Sequence, residues 1–178
     1  MKDTRARNII YTQQYHAACG ELILGAVNGK LCLCDWTVAK HHNTVRERLQ
    51  KALKADYAEQ ESKITQEAAR QLAQYFEGKR TKFDIPLFLV GTDFQRKVWQ
   101  DLLKIPYGET RSYAELAQEA GSPKGVRAVA NAIGSNALSI FVPCHRIIGS
   151  NRSLTGYAGG LRAKDFLIKL ESLTLLKR

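Results

Sequence analysis

The sequence lacks the long apolar segments that membrane and secreted proteins carry. No run of apolar residues approaches the roughly 18 needed to cross a bilayer, and residues 1–5 open with charge rather than with a signal-peptide core. Low-complexity tracts and short internal repeats are also missing, while 44% of the residues are hydrophobic. We therefore expect a folded cytoplasmic protein with no membrane partner, rather than a membrane, secreted or disordered protein.

Cysteine is scarce, with four residues in a chain of 178. Cys19, Cys32 and Cys34 lie near the N-terminus, and Cys144 lies far from them. Four cysteines without a signal peptide fit a reducing compartment better than a disulfide scaffold. No Cys-x-x-Cys motif or second ligand pair completes a zinc pattern, so we predict small core or surface residues at the first three positions and no metal.

Acidic residues are few relative to basic ones. Lys and Arg number 27 against 17 Asp and Glu, which gives a formal net charge of +10. This excess favours a polyanionic partner such as nucleic acid over a neutral metabolite, although many merely soluble proteins are also basic.

Turn and periodicity signals divide the chain at about residue 90. Asn28-Gly29 joins two alternating apolar runs and predicts a β-hairpin. We predict an N-terminal α/β domain over residues 1–90 and a mostly helical domain over residues 91–178. The elements predicted for the first domain are strands Gly20–Val27 and Lys30–Trp36, helices Thr44–Ala55 and Thr65–Glu77, and an edge strand Lys82–Val90.

Helix-capping signals organise the second domain. Thr92 with Gln95 and Ser112 with Glu115 form capping boxes, and Gly121 is suited to end the second of these helices. Ser122 is predicted to cap a third helix, with Pro123 in its first turn. The sequence therefore predicts two short helices with almost no connecting residues between them.

The third predicted helix has two different faces. Its apolar positions recur at helical spacing and predict a buried stripe, formed by Val126, Val129, Ala130 and Ile133. The opposite face carries small residues and one long arginine, in the set Lys124, Arg127, Ala128 and Asn131. Such a face on the second helix of a helix-turn-helix allows close approach to a DNA groove, although two helices packed in a bundle would have the same pattern.

Reactive side chains follow a predicted short strand, Leu138–Val142. Pro143 ends the strand, and Cys144-His145-Arg146 then precedes Ile147-Ile148. We expect this turn to be semi-buried, and burying such groups requires hydrogen-bond partners or a function. A histidine, an arginine or a helix N-terminus lowers the pKa of a thiol and makes it a nucleophile.

A Cys-His dyad needs a third group to orient the imidazole. Glu171 is the candidate, at the edge of a predicted apolar stripe on the last helix; the stripe comprises Ala163, Phe166, Leu167 and Leu170. The alternatives are an inert core cysteine at position 144 and a solvated carboxylate at position 171.

The turn Pro143-Cys144-His145-Arg146 resembles the active-site signature of the O6-alkylguanine-DNA alkyltransferases (methylated-DNA-protein-cysteine methyltransferases). The similarity is strong from Gly91 to Glu171 and looser before that. The further matching segments are Gly91 to Gln95, Val98-Trp99, Ile105 to Thr110, Ser112-Tyr113, Pro123, Arg127 to Val129, Asn136 and Gly156 to Leu161.

The resemblance implies a ribonuclease-H-like α/β N-terminal domain and a C-terminal domain with a winged helix-turn-helix. It implies direct, stoichiometric and irreversible transfer of the alkyl group of O6-alkylguanine, and of O4-alkylthymine, to Cys144 after the nucleotide is flipped from the minor groove. The protein would be a single-turnover enzyme without a cofactor. It would act as a monomer on double-stranded DNA, with room for cooperative binding, in a bacterial cytoplasm or nucleoid.

Roles for individual residues also follow from the resemblance. His145 would accept the thiol proton through a water, Glu171 would orient His145, and Asn136 would brace the turn. Arg127 would fill the gap left by the flipped nucleotide, beside DNA contacts from Ser112, Lys124, Ala128 and Asn131. The base pocket would be formed by Tyr113 at guanine N3, the carbonyls of Cys144 and Ile147, the Ala158 amide, Tyr157 and Gly159.

Some features depart from the family pattern or admit other readings. Ser139 stands where some relatives carry proline, which predicts a less apolar wall and poor reaction with benzyl adducts. Ala158 replaces a common serine but keeps the backbone amide. The competing hypotheses are a module that recognises alkylated DNA and recruits excision repair, a cysteine peptidase and a transcription factor. Cys144 counts against the first, its adjacent His145 against the second, and the reactive turn against the third.

Overall fold

The structure, a computed structural model, describes residues 6–178, so the charged residues 1–5 lie outside it. The first half contains a four-stranded sheet, whose strands are β1 Asn8–Ala17, β2 Gly20–Val27, β3 Lys30–Trp36 and β4 Ala55–Glu59. Their order across the sheet is β3-β2-β1-β4. The hairpin of β2 and β3 is confirmed, with Val27 paired to Lys30 across the Asn28-Gly29 turn.

Two strands of this sheet were not predicted. β1 pairs with β2 in antiparallel register and with β4 in parallel register. Most residues of β1 are partly or fully exposed, so its sequence has no clean apolar alternation. The predicted helix through Ala55 is too long, because Lys54 adopts a left-handed conformation at φ 48° and Ala55 starts β4.

Two helices complete the first half, and the predicted helices are confirmed with shifted ends. They are α1, His42–Leu53, and α2, Lys63–Phe76. The predicted edge strand Lys82–Val90 is wrong apart from one bridge between Leu87 and Leu31 of β3. Pro86 has no N–H to extend a ladder, although its carbonyl accepts from Leu31 N at 2.9 Å.

The second half is mostly helical, as predicted. Two short strands pair in parallel beside the 3₁₀ turn Cys144–Arg146. The elements are α3 Asp93–Leu102, β5 Arg111–Ser112, α4 Tyr113–Glu119, α5 Val126–Gly134, β6 Ile147–Ile148 and α6 Leu161–Leu176. Within residues 6–178, no helix is both long enough and apolar enough to span a membrane.

Both predicted capping boxes are confirmed, and Gly121 adopts φ 74° after α4. The predicted cap at Ser122 is wrong. The Ser122 carbonyl accepts from Gly125 N at 2.9 Å, so this segment forms a separate turn, and α5 begins at Val126 with Gly125 at its N-cap.

The segment before the reactive turn is not the strand that was predicted. Leu138 makes one bridge to Cys34 of β3, and Ser139 bridges to Val142, so the chain folds back on itself. Ile140 accordingly has a positive φ of 73°. This compact loop carries Cys144 into the region where the two halves of the chain meet.

One hydrophobic core spans both halves. It joins residues of β2, β3 and α2 to residues of α3, α5 and α6. Its large buried members include Trp36, Tyr75, Trp99, Leu102 and Phe141. The reactive turn is therefore held against a continuous core rather than on a mobile surface loop.

Candidate active site

Asn136 holds the loop that carries Cys144. Its side-chain Nδ2 donates to Val142 O at 3.0 Å and to Cys144 Sγ at 3.2 Å, while its Oδ1 accepts from Leu138 N at 2.9 Å. Because Asn136 is buried, these bonds are shielded from competing water. The amide thus fixes the thiol position and donates directly to the sulfur.

Glu171 is the electrostatic centre of the site. Its carboxylate lies 2.7 Å from His145 Nε2 and accepts from Arg146 Nε and Nη2, both at 2.9 Å. It also accepts from the Tyr75 hydroxyl at 2.8 Å and the Gly108 amide at 3.0 Å. These donors outweigh burial and lower the pKa of Glu171 to about 2, so the carboxylate is ionised at neutral pH.

The predicted surroundings of Glu171 were partly wrong. The residue was placed at the edge of the apolar stripe on α6, but it is 1% exposed and lies inside the core. Phe166, assigned to the buried stripe, is 37% exposed, whereas Ala163 and Leu167 are buried. A carboxylate can occupy this position because Arg146 and His145 compensate for its desolvation.

His145 is completely buried, and burial lowers its pKa against the opposing effect of Glu171. An ionised carboxylate can only accept, so Nε2 carries the proton that faces Glu171. In the neutral imidazole, Nδ1 is then a free acceptor, and it has no partner among the described residues. The arrangement leaves one basic nitrogen available beside the turn.

The residue Cys144 is 7% exposed, and burial raises the pKa of its thiol. The hydrogen bond from Asn136 and the charge of Lys164 oppose that shift, while the charge of Asp35 adds to it. Burial therefore disfavours the thiolate that a nucleophilic cysteine needs, and a nearby base would promote its formation.

Cys144 faces a cavity of about 650 Å³ that is lined mainly by apolar atoms. Such a volume is within the range of small-molecule sites. Four of the five residues predicted to bind substrate line it, namely Tyr113, Tyr157, Ala158 and Gly159. The fifth, Ile147, is fully buried in β6.

The walls of the cavity are fixed by contacts among its aromatic and glycine residues. The Tyr113 hydroxyl donates to Thr155 O at 3.4 Å, and the Tyr157 ring meets the Trp36 ring edge-on at 5.9 Å. A Cβ atom at Gly159 would lie 2.6 Å from the Trp36 ring, so only glycine fits there. Ser139 also lines the cavity.

Sequence reasoning missed a whole wall of this cavity. The segment from Asp35 to Val45, which links β3 to α1, contributes Val38, Lys40 and His41. Asp35 is buried, and its carboxylate lies 2.7 Å from His42 Nδ1. This contact ties the end of β3 to the start of α1. No sequence signal connects this loop to Cys144, because the two are brought together only by the packing of β3 against the reactive loop.

The helix α5 links the cavity to an exposed basic surface. Ala130, Ile133 and Gly134 line the cavity. The residues predicted to contact DNA from this helix and the preceding turn are exposed, namely Lys124, Arg127, Ala128 and Asn131. Ser112, the fifth predicted contact, is partly buried and caps α4. One helix thus borders the cavity with one face and offers an arginine on another.

Comparison with known proteins gives matches over most of the chain. Residues 11–89 match the family model described as 6-O-methylguanine DNA methyltransferase, ribonuclease-like domain. Residues 93–173 match the model described as 6-O-methylguanine DNA methyltransferase, DNA binding domain. The predicted fold class, an α/β ribonuclease-like half followed by a helical DNA-binding half, is confirmed.

Individual relatives agree with the family models. The chain is 48% identical over 136 residues to a methylated-DNA–protein-cysteine methyltransferase of Methanosarcina barkeri, covering 76% of this chain and 85% of the relative. It is 56% identical over 109 residues to the constitutive enzyme of that name from Bacillus subtilis, covering 61% and 66%. The crystal structure of Mycobacterium tuberculosis OGT in complex with DNA superposes with a TM-score of 0.77 at 37% identity, covering 93% of this chain and 94% of that one.

Proposed function

The chain belongs to the 6-O-methylguanine DNA methyltransferase family, and from this premise we propose that Cys144 is the residue that accepts the alkyl group. The activity is DNA repair by direct transfer of an alkyl group to a protein cysteine. The observation that carries the assignment is the position of the thiol. All four cysteines lie in the described residues, and Cys144 is the one that lines the cavity beside α5.

The transfer begins with activation of the thiol. His145 Nδ1 accepts the Cys144 proton through a bridging water, and the resulting imidazolium is stabilised by Glu171 on its other nitrogen. Because Glu171 also holds Arg146 and Tyr75, its orientation is set before the substrate arrives. Glu171 and Asn136 act as positioning residues.

The thiolate then attacks the alkyl carbon of O6-alkylguanine, or of O4-alkylthymine, in line with the bond to oxygen. A carbon–sulfur bond forms and the carbon–oxygen bond breaks, so its electron pair passes to the base. A donor near guanine N3, supplied by the Tyr113 hydroxyl, stabilises the developing negative charge. The product is a thioether that no proton transfer reverses, so each molecule reacts once.

Groups in the walls of the pocket would recognise the flipped base. The carbonyls of Cys144 and Ile147 accept from the exocyclic amine, the Ala158 amide faces the alkylated oxygen, and Tyr157 and Gly159 enclose the ring. A thiol in the protein cannot reach the lesion inside a duplex, so the nucleotide must leave the stack.

DNA is the partner, and the face of α5 suits a minor groove. Arg127 would enter the stack in place of the flipped nucleotide, while Lys124, Ala128, Asn131 and Ser112 lie along the groove and the phosphates. We further propose that the protein acts as a monomer, with room for cooperative binding, in the cytoplasm or nucleoid of a bacterium. Residues 1–90 and 91–178 are its two domains.

The test is a mass measurement after mixing equal amounts of protein and duplex containing one O6-methylguanine. The expected result is the gain of one methylene mass on the Cys144 peptide, ending at one equivalent. Cys144→Ser should gain nothing, and Cys34→Ser, which removes another buried thiol, should react like the natural protein. Tight lesion binding without any mass gain would instead support a recognition module that recruits excision repair.

A further inference from the structure

Arg48 on α1 connects the first half of the chain to the end of α5. Its Nη2 donates to Ser135 O at 2.8 Å, across 87 positions of the sequence. Among the hydrogen bonds formed by residues 6–178, this is the one that joins residues 6–90 to α5 or to its C-cap. Burial lowers the pKa of the Arg48 guanidinium, so its contacts must offset the cost of removing a cation from water.

The last turn of α5 is held by two side chains from other elements. The carbonyl oxygens at the end of a helix lack their regular intrahelical partners. Trp99 Nε1 donates to Ala132 O at 2.8 Å, and Arg48 donates to the carbonyl of the C-cap residue Ser135. The Arg48 guanidinium also lies 5.6 Å from the centroid of the Trp99 ring. A cation is favourable at this position because the C-terminal end of a helix carries partial negative charge.

This end of α5 continues directly into the residue that holds the thiol. Asn136 follows Ser135, and its Nδ2 donates to Cys144 Sγ at 3.2 Å. The same helix carries the exposed Arg127 in its first turn. A single helix of nine residues thus links the face predicted to contact DNA with the loop that carries the sulfur.

Stability alone does not account for Arg48. Its Nε is buried and has no partner among the described residues, and an unpaired buried donor lowers stability. Arg46, two positions earlier on α1, has a different contact, since its guanidinium lies 4.1 Å from the centroid of the Tyr57 ring in β4. The two arginines carry the same charge on the same helix, and of the two Arg48 is the one bonded to the end of α5.

We propose that Arg48 is a positioning residue for the transfer, which fixes the C-terminal end of α5 against α1 and, through Asn136, keeps the DNA-facing helix aligned with the Cys144 thiol. The inference rests on the proposed role of Cys144 as acceptor. Because a displacement of about 1 Å can slow a reaction by about 100-fold, a nucleotide delivered from α5 reacts well only if the helix and the sulfur keep a fixed geometry.

The test is single-turnover methyl transfer from a duplex containing one O6-methylguanine, with the protein in excess over a range of concentrations. The data give a limiting rate and a half-saturating concentration for the natural protein, Arg48→Met, Arg48→Lys and Arg46→Met. We expect Arg48→Met to lower the limiting rate by about tenfold and to leave the half-saturating concentration within about twofold, because the DNA face of α5 is intact. Arg48→Lys should recover most of the rate, since an ammonium can donate to the same carbonyl. Arg46→Met, which removes the same charge from the same helix, should behave like the natural protein.

Equal limiting rates for Arg48→Met and Arg46→Met would overturn the inference. A loss confined to the half-saturating concentration would also overturn it, because Arg48 would then act in DNA binding. If Arg48→Met does not fold, nuclear magnetic resonance of the natural protein supplies the test. We expect the Arg48 guanidinium to rotate about its Cζ–Nη bonds more slowly than that of exposed Arg127, and equal rotation would exclude the anchoring contact.

The outcomes separate this inference from the proposed function. Methyl transfer to Cys144 by the natural protein, with an unchanged limiting rate in Arg48→Met, would overturn the inference alone. Absence of any transfer by the natural protein would overturn the proposed function and the inference with it.

Discussion

The substitution Glu171→Gln should destabilise the whole protein as well as the site. The glutamine would keep the shape of the side chain but lose the charge that compensates Arg146 and that fixes the proton on His145. Breaking a buried ion pair by neutralising one partner costs about 3–5 kcal/mol, because the other charge remains buried. That is a large part of a total stability of about 5–15 kcal/mol.

The pKa of Glu171 gives an independent measure of how much its carboxylate contributes to the free energy of unfolding. Its pKa falls from the ordinary 4.5 to about 2 in the folded protein. The shift corresponds to about 3 kcal/mol of stability that is fully present above pH 4.5 and is lost as the pH falls toward 2. Burial lowers the pKa of His145, so the fold also loses stability as the pH falls below 6.5, where the unfolded histidine takes up a proton.

The assay is urea unfolding followed by circular dichroism at pH 7 and pH 4. At pH 7 we expect Glu171→Gln to lower the free energy of unfolding by about 3 kcal/mol. The gap to the natural protein should narrow by about 1 kcal/mol at pH 4, because only the natural carboxylate contributes the linkage. Glu47→Gln on the exposed face of α1 is the matched control and should change little. If the two variants unfold alike, the carboxylate does not hold the site together.

Three further predictions concern the DNA face and the cavity wall. Arg127→Ala should slow repair of a duplex by about tenfold or more while sparing reaction with the free alkylated base, because only a flipped nucleotide leaves a gap to fill; Arg70→Ala on α2 is the control, and equal losses on both substrates would contradict the role. Gly159→Ala should destabilise the protein by about 1–3 kcal/mol in thermal unfolding, since its Cβ would lie 2.6 Å from the Trp36 ring. Gly134→Ala, whose added Cβ would meet no atom within 4 Å beyond its chain neighbours and its own helix backbone, should be neutral or stabilising by about 0.5–1 kcal/mol. The affinity for undamaged duplex should fall steeply with salt and vary little with sequence, and salt-insensitive binding would count against phosphate contacts.

Features that depend on near neighbours could be predicted from the sequence. The hairpin at Asn28-Gly29 and the capping boxes at Thr92 and Ser112 are set by residues two to four positions apart. They can therefore be predicted without knowledge of the tertiary structure. The cap at Ser122 failed because two competing local hydrogen-bond patterns were available and the turn to Gly125 prevailed. The domain boundary at about residue 90 stays a prediction.

The sequence alone also determined the chemical class of the protein, because the Cys144-His145-Arg146 turn and the motifs around it are contiguous. Tertiary structure alone decided which further donors meet at Glu171, beyond the predicted contact with His145. Glu171 collects donors from α2, from the loop at Gly108 and from the turn at His145 and Arg146, positions that are far apart in the chain. The burial of Lys164 and the wall from Asp35 to Val45 likewise follow from packing between distant segments. Coulomb energies depend on the distance between charges in space, and desolvation depends on how deeply a group is buried. The local sequence determines neither quantity.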